Sequence, residues 1–183
     1  MVNRRKVNHI ATRHFRWRKQ LCWLFRGVWK LRAKRIVSSF LPHISEGANI
    51  LDIGAGSGML AEEIAKRINV KFTLLDVIDW NVSRFPLMLF DGEHIPFREK
   101  QFDIALLIDV VHHSEDEANL VQEALRVAKQ VLVVEEVYNH HKINVLATIT
   151  DNFQYLLYGM PIGTHHRNGD QWFEFFQRYA ARV

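Results

Sequence analysis

A short apolar segment that runs directly into a glycine-rich loop constrains the fold of this chain more than any other feature. Residues 49–53 read Asn-Ile-Leu-Asp-Ile, and Gly54, Gly56 and Gly58 follow. The apolar run predicts a buried strand, and residues 58–68 predict a helix. The first glycine would permit a tight turn, and the second would let the backbone approach a ligand closely. The sequence therefore predicts a strand–loop–helix unit that can hold a nucleotide-like ligand.

Strand-like and helix-like segments alternate through the rest of the chain. The predicted strands cover residues 49–53, 71–76, 86–90, 102–109 and 131–137, and the predicted helices cover residues 58–68, 115–129, 142–158 and 169–180. Several of the strands are apolar on both faces, as expected for a parallel sheet that helices cover. Residues 48–183 are therefore predicted to form an α/β domain with a doubly wound, Rossmann-like and mostly parallel sheet.

The charge of the chain is divided unevenly along its length. Residues 1–45 contain twelve Lys and Arg and no Asp or Glu, whereas the remainder contains the other twelve Lys and Arg and all twenty acids. Large apolar residues recur every three or four positions between residues 15 and 41, which predicts one or two amphipathic helices. Residues 1–47 are therefore predicted to form a basic helical arm on an acidic domain.

Three interpretations of this basic arm stay open. Its apolar stripe could cover the sheet or the ligand pocket as an ordinary packed helix. Residues 4–35 could instead bind an anionic membrane surface, since cations flank several tryptophans. Twelve cations could also neutralise the phosphates of a nucleic acid, although aromatics on a helical stripe are not a stacking platform.

Composition excludes several other classes of protein. No apolar run approaches the roughly 20 residues that a membrane-spanning helix needs. Cys22 is the only cysteine, so the chain has no internal disulfide and suits a reducing cytoplasm. The expected location is therefore cytoplasmic, and the basic arm also allows a peripheral location at the membrane. The pairs His140-His141 and His165-His166 have no accompanying zinc-ligand spacing and are interpreted as loop histidines, so no metal is predicted.

The spacing of the glycine loop narrows the ligand. It follows a G-x-G-x-G pattern rather than the G-x-G-x-x-G pattern typical of dinucleotide enzymes. Asp52 lies two residues before the first glycine, where its carboxylate would repel a pyrophosphate but attract an ammonium group. The alternative is a purely structural turn with incidental glycines.

Four ordered blocks give residues 49–137 a specific resemblance. They are Ile50-Leu51-Asp52-Ile53-Gly54-Ala55-Gly56-Ser57-Gly58, then Leu75-Asp76, then Asp91-Gly92-Glu93-His94-Ile95-Pro96-Phe97, and finally Phe102-Asp103-Ile104-Ala105 running on to Asp109-Val110-Val111-His112-His113. In order and spacing they resemble a class I S-adenosylmethionine-dependent methyltransferase, closest to the type 11 group. The resemblance implies S-adenosylmethionine as the cofactor.

The resemblance also implies the residues that would hold this cofactor. Asp52 and the backbone of Gly54, Ala55, Gly56 and Gly58 would bind its methionine end. Asp76 would accept hydrogen bonds from the ribose, with Val77 beside it. Asp91 would bind the adenine amino group, Gly92 would leave room for the ring, and Asp109 would complete the set. Asp79 is a rival to Asp76 that is interpreted as a turn residue, and Asp103 is expected to position its strand.

His112 and His113 are the candidate general bases. They follow the fourth predicted strand, at the carboxyl edge where ligands of open α/β sheets bind. Histidine titrates in the range that proton removal from a hydroxyl or an ammonium requires. The alternative is that both are structural residues of the turn into the next helix.

The chain also departs from the family pattern. Only about nine residues separate the second and third strands, where the family has a helix, so one face of the sheet should be thinly covered there. The final antiparallel hairpin of the family is missing before Val183, so the chain is either a shortened variant or a fragment that lacks its last two strands, and truncation is the favoured interpretation. The predicted function is methyl transfer to a small-molecule or lipid-like acceptor. The alternatives are a non-catalytic cofactor-binding protein, an inactive fragment, or a methyltransferase acting on RNA.

Overall fold

A computed structural model of the chain describes residues 23–137 and 167–179. Its centre is a sheet of five parallel strands in the order β3-β2-β1-β4-β5. The strands are β1 (Asn49–Ile53), β2 (Lys71–Asp76), β3 (Leu87–Leu89), β4 (Phe102–Ile108) and β5 (Ala128–Val134). The order reverses between β1 and β4, so the sheet is doubly wound and Rossmann-like, as predicted.

Helices cover both faces of this sheet. They are α1 (Arg26–Phe40), α2 (Met59–Ala65), α3 (Glu117–Val127) and α4 (Gly169–Tyr179). Side chains that alternate along β1 enter two separate cores. Leu51 and Ile53 join the core under α3 and α4, whereas Ile50 joins the core under α1 and α2. The domain is therefore a three-layer α/β/α sandwich, and its ligand-binding edge lies at the carboxyl ends of the strands.

The last predicted strand begins earlier than its hydrophobicity indicates. The strand β5 starts at Ala128 rather than Val131, and α3 ends at Val127 rather than Lys129. Ala128 is already extended and lies opposite Phe102 of β4. The polar residues Lys129 and Gln130 hide this start, because the pairing with β4, and not the apolar run, sets where the strand begins.

The connection between β2 and β3 contains no helix, as predicted, and the neighbouring strand β3 is thinly covered, with Met88 45% and Leu89 56% exposed. Trp80 is only 5% exposed and forms a small core with Ile78, Val82 and Trp29. Trp29 belongs to α1, so the basic arm supplies part of the cover that a connecting helix would give. The expectation of a thinly covered sheet therefore holds at β3, whereas the connection itself packs against α1.

The described part of the basic arm is a packed helix. Ala33, Val37 and Phe40 of α1 are buried against the domain, and Arg26 makes an ion pair with Glu62 of α2 at 3.2 Å. This packing agrees with the interpretation of the arm as a cover for the sheet. Residues 1–22 lie outside the described part of the chain, as does the predicted helix 142–158. Within the described ranges, no helix is long and apolar enough to span a membrane.

Candidate functional site

Asp52 places a buried carboxyl group at the end of β1, and one of its oxygens has no hydrogen-bond partner among the described residues. Its side chain is 2% exposed, and its Oδ2 accepts no hydrogen bond from the described residues. Burial, together with the nearby negative charge of Asp76, raises the pKa of Asp52 to about 7. A buried carboxylate without a donor is costly, so this position fits a ligand that brings its own cationic donor.

Asp76 ties the end of β2 to the glycine loop. Its Oδ2 accepts a hydrogen bond from the Gly56 amide at 2.7 Å, and its Oδ1 accepts one from the Ile78 amide at 3.1 Å. Burial raises the pKa of Asp76, and the backbone donors act against that rise. The two predicted cofactor carboxylates, Asp52 and Asp76, therefore flank the same loop, as the sequence predicted.

Two glycines of the loop, Gly54 and Gly58, lie so close to neighbouring side chains that there is no room for a Cβ atom. Gly54 has a φ of +71°, and a Cβ built there would collide with the Val110 side chain. Gly58 has a φ of +70°, and a Cβ there would collide with Ser83 and Asn81 of the β2–β3 connection. No side chain fits at either position, because the backbone is left-handed and the space is filled.

Val77, Asp91 and Gly92 form a second group next to this loop. A Cβ on Gly92 would lie 3.2 Å from Val77 Cγ1, so the ends of β2 and β3 meet closely here. The Val77 side chain is half exposed. Asp91 is exposed, and its Oδ1 accepts hydrogen bonds from the amides of Glu93 and His94, which lower its pKa. The structure therefore brings these residues together, but Asp91 Oδ1 is already used in hydrogen bonds within its own turn.

Asp109 lies after β4 and makes an ion pair with Arg32 of α1. It has a φ of +50°, an uncommon conformation for a residue with a side chain. Burial raises the pKa of Asp109 to about 6, while the positive charge of Arg32 acts against the rise. The basic arm therefore contacts the carboxyl edge directly, and a residue predicted to bind cofactor is held by α1.

His112 is paired with a carboxylate that the sequence did not single out. Its Nδ1 lies 2.5 Å from Glu135 Oε2, and both side chains are buried. Burial lowers the pKa of His112, but the hydrogen bond and negative charge of Glu135 outweigh this effect and raise it. The ring of His113 lies beside it, tilted by 43°, with the ring centroids 4.0 Å apart. The sequence feature that could have identified Glu135 as a site residue is its position directly after the last strand, at the ligand-binding edge.

Other predicted residues lie away from this edge or outside the described ranges. Asp103 accepts hydrogen bonds from the Asn49 amide and Lys129 Nζ at the opposite end of β4, so it positions the strand, as predicted. Asp79 accepts a hydrogen bond from the Asn81 amide within its turn. His140, His141, His165 and His166 lie outside the described residues, among which no cluster of three metal-ligating side chains occurs.

Comparison with known proteins agrees with this geometry. Residues 51–131 match the family model of a methyltransferase domain, type 11. Three relatives fall in the same class. Demethylmenaquinone methyltransferase of Porphyromonas gingivalis is 36% identical over 111 residues, 52% of this chain and 43% of that protein. The mitochondrial ubiquinone biosynthesis O-methyltransferase of Arabidopsis thaliana is 26% identical over 145 residues, 71% of this chain and 42% of that protein.

The third relative is named as an enzyme that methylates tRNA. The tRNA (carboxymethyluridine(34)-5-O)-methyltransferase of Schizosaccharomyces pombe is 29% identical over 100 residues, 50% of this chain and 42% of that protein. The chain thus spans less than half the length of these three relatives. Among solved structures, the [4+2]-cyclase SpnF has the same fold, with a TM-score of 0.60 and 18% identity over 80% of this chain and 57% of that chain.

The fold, the loop and the two carboxylates have the arrangement of a class I, Rossmann-like methyltransferase domain. Residues 51–131 are similar to the methyltransferase domain of type 11. The cofactor that this family implies is S-adenosylmethionine.

Proposed function

We propose that this protein binds S-adenosylmethionine at the carboxyl edge of its sheet and transfers the methyl group to a small-molecule or lipid-like acceptor. The observation that carries the proposal is the buried Oδ2 of Asp52, which has no donor within the described residues. An ammonium group is the donor that a carboxylate in such a place favours most. The methionine end of the cofactor would supply it.

The remaining contacts would divide the cofactor among the ends of four strands, β1 to β4. The backbone of Gly54, Ala55, Gly56 and Gly58 would surround the methionine end. Asp76 would share its oxygens between the amides of Gly56 and Ile78 and the ribose hydroxyls. Val77 and Gly92 would flank the adenine, with Asp91 Oδ2 toward its amino group. Asp109, held by Arg32, would lie where α1 meets the cofactor.

S-adenosylmethionine supplies a methyl group on a positively charged sulfur. When bound, it would supply this methyl group to an acceptor oxygen or nitrogen, and the electron pair of the carbon–sulfur bond would remain on sulfur. His112 would take the proton that the acceptor loses, so the positive charge ends on the imidazolium. The carboxylates of Asp109 and Glu135 would stabilise that charge, since both favour the protonated form of His112.

The binding step is tested by calorimetry with S-adenosylmethionine on the full chain. Asp52→Asn should weaken binding by about 100-fold at pH 7.5, since it removes a buried charge-assisted hydrogen bond worth roughly 1.5–3 kcal/mol. Wild-type affinity should rise roughly tenfold between pH 6 and pH 7.5, as a carboxyl group with a pKa of about 7 ionises.

Asp103→Asn is the matched control, because it changes the same side chain at the opposite edge of the sheet. It should keep the wild-type affinity and pH dependence. Equal binding by wild type and Asp52→Asn would contradict the proposed ammonium site.

The transfer step is tested with S-adenosylmethionine labelled in its methyl group, incubated with lysate separated into lipid, small-molecule and RNA fractions. Label in the lipid or small-molecule fraction is expected, in agreement with the two quinone-related relatives. Label confined to RNA would favour the alternative that the tRNA-modifying relative supports. Cofactor binding without label in any fraction would instead favour a non-catalytic binding protein.

The exposed face of the basic arm supports association with an anionic membrane surface. Val28 and Leu31 lie on one face of α1 and, together with Leu24 just before the helix, form an outer stripe; each of the three is more than 60% exposed, as is Trp23. This outer stripe lies opposite Ala33, Val37 and Phe40, which pack on the domain. The exposed cations Lys30, Lys34 and Arg35 lie beside it. Apolar anchors with neighbouring cations are what an anionic bilayer binds.

Vesicle flotation tests this association. The full chain should float with vesicles of phosphatidylcholine and phosphatidylglycerol, but not with phosphatidylcholine alone. Val28→Asp should abolish flotation and leave S-adenosylmethionine affinity unchanged. Absence of wild-type flotation at physiological salt would rule out the membrane surface as a partner.

A further inference from the structure

A single carboxylate, Glu135, contacts both the candidate base and the loop beside it. Its Oε2 lies 2.5 Å from His112 Nδ1. Its Oε1 accepts hydrogen bonds from the amides of Val110 at 3.1 Å and Val111 at 2.7 Å. The side chain is 3% exposed. Among the described residues, the hydrogen bonds of this carboxylate are therefore directed at the segment that follows β4.

That segment in turn contacts the glycine loop. The Val110 side chain fills the space where a Cβ of Gly54 would lie. Because Glu135 Oε1 fixes the Val110 amide, it also fixes the wall against which the cofactor loop turns. Glu135 thus couples the position of His112 to the position of Gly54 through one residue.

We propose that Glu135 is a positioning residue that keeps the proton of neutral His112 on Nδ1 and leaves the Nε2 lone pair to accept a proton from the methyl acceptor. This inference rests on the proposed function. A carboxylate is an acceptor only, so a neutral imidazole beside it must donate from the nitrogen that faces it. The tautomer is thereby set by the pairing, as it is wherever a carboxylate orients a general base.

The charged groups around this pair come from several elements. They are Glu135 and Glu136 after β5, Asp109 after β4, Arg32 of α1, which neutralises Asp109, and Arg167 before α4, which acts on Glu135. The three acids favour protonated His112 and the two arginines reduce their effect. Glu135 is the member of this set whose hydrogen bond to His112 is seen directly.

Glu135→Gln is the variant that separates proton placement from packing. The glutamine carbonyl can still accept from the Val110 and Val111 amides. Its NH₂ group would donate to Nδ1, so the ring proton would move to Nε2 and the basic lone pair would be lost from that position. The fold should persist, and the affinity for S-adenosylhomocysteine, measured by calorimetry, should stay within about threefold of wild type. The initial rate of methyl transfer should fall about 100-fold or more, the size of a lost general base.

The first readout is nitrogen NMR of the histidine rings, which does not depend on catalysis. Wild type should show the Nδ1-protonated tautomer of His112, and Glu135→Gln the Nε2-protonated one. The pKa of His112 should fall in the variant, because burial then acts without Glu135. An unchanged tautomer and an unchanged pKa in Glu135→Gln would overturn the inference.

The second readout is the rate of methyl transfer against pH, with Glu136→Gln as the matched control for the loss of one negative charge at the neighbouring, exposed position. The control should retain most of the wild-type rate. A wild-type rate and pH profile in Glu135→Gln would overturn the inference even if the NMR changes. If wild type transfers no methyl group, the proposed function fails, and the NMR result still decides whether Glu135 sets the proton of His112.

Discussion

Asp52 shows how one residue can be poorly suited to the empty fold and well suited to a ligand. An aspartate is ionised at neutral pH in water, yet burial raises the pKa of this one to about 7. The carboxyl group is therefore a stability cost that the domain carries without a cofactor. Such a cost is typical of functional sites, where residues needed for ligand binding lower the stability of the ligand-free fold.

Replacing Asp52 by Asn should make the cofactor-free protein more stable at high pH. The folded-state pKa is raised above the ordinary 3.8, so the wild type loses stability as pH rises from about 4 to about 7. A tenfold change in an equilibrium is about 1.4 kcal/mol, so the advantage of the variant should grow from below about 1 kcal/mol near pH 4 to about 4 kcal/mol at pH 8.

Urea unfolding of both proteins across this pH range measures the difference. Saturating S-adenosylmethionine should reverse it by stabilising the wild type more than the variant. A difference in unfolding free energy that stays constant with pH would show that Asp52 is already ionised in the folded protein.

Some residues of the site could be predicted from the sequence, and others could not. The loop, Asp52 and Asp76 follow from local spacing, because a strand that ends in glycines places its neighbours at one edge. The pairing of His112 with Glu135 joins residues 23 positions apart. The contact of Arg32 with Asp109 joins residues 77 apart. Such pairs depend on which strands lie side by side, and periodicity does not specify strand order.

At the scale of elements, local pattern predicted the strands better than the helices that cover them. The strands β1 and β2 have the predicted bounds, since apolar runs bounded by polar residues mark them clearly. The cover over the β2–β3 connection was missed, because it comes from Trp29, far away in the chain. The helix α1 therefore has two apolar surfaces with different roles, and only its inner one belongs to the core.

The two surfaces of α1 should respond differently to truncation. Phe40→Ala removes a buried ring from the core and should lower the free energy of unfolding by about 3–5 kcal/mol. Leu31→Ala changes a residue that is 71% exposed and should alter stability by less than about 0.5 kcal/mol. Leu31→Ala should instead weaken flotation with anionic vesicles. Equal losses of stability in the two variants would mean that the outer stripe is also packed.

At the scale of the molecule, the helix α4 closes the core next to the carboxyl edge of the sheet. Trp172 is 5% exposed and donates a hydrogen bond from Nε1 to the carbonyl of Glu136 at 3.0 Å. The Arg167 guanidinium lies 4.7 Å from the ring centroids of Trp172 and Phe175. The aromatic residues of this helix therefore pack mainly on the core, and they support the backbone that carries Glu135.

The pair Glu117–Arg167 joins α4 to α3 across a sequence separation of 50 residues, with two hydrogen bonds of 2.5 and 2.8 Å. Both side chains are largely buried, so removing one partner leaves the other charge without compensation.

Glu117→Gln and Arg167→Met should each lower the free energy of unfolding by about 3 kcal/mol. The double variant should lose less than either single variant, because the orphaned charge is then gone. Urea unfolding of the four proteins gives the coupling energy, and strictly additive losses would show that the two residues stabilise α4 independently. Asp52 lies in β1, and β4 separates it from the Glu117–Arg167 pair. None of the three variants should therefore change the pH dependence of S-adenosylmethionine binding.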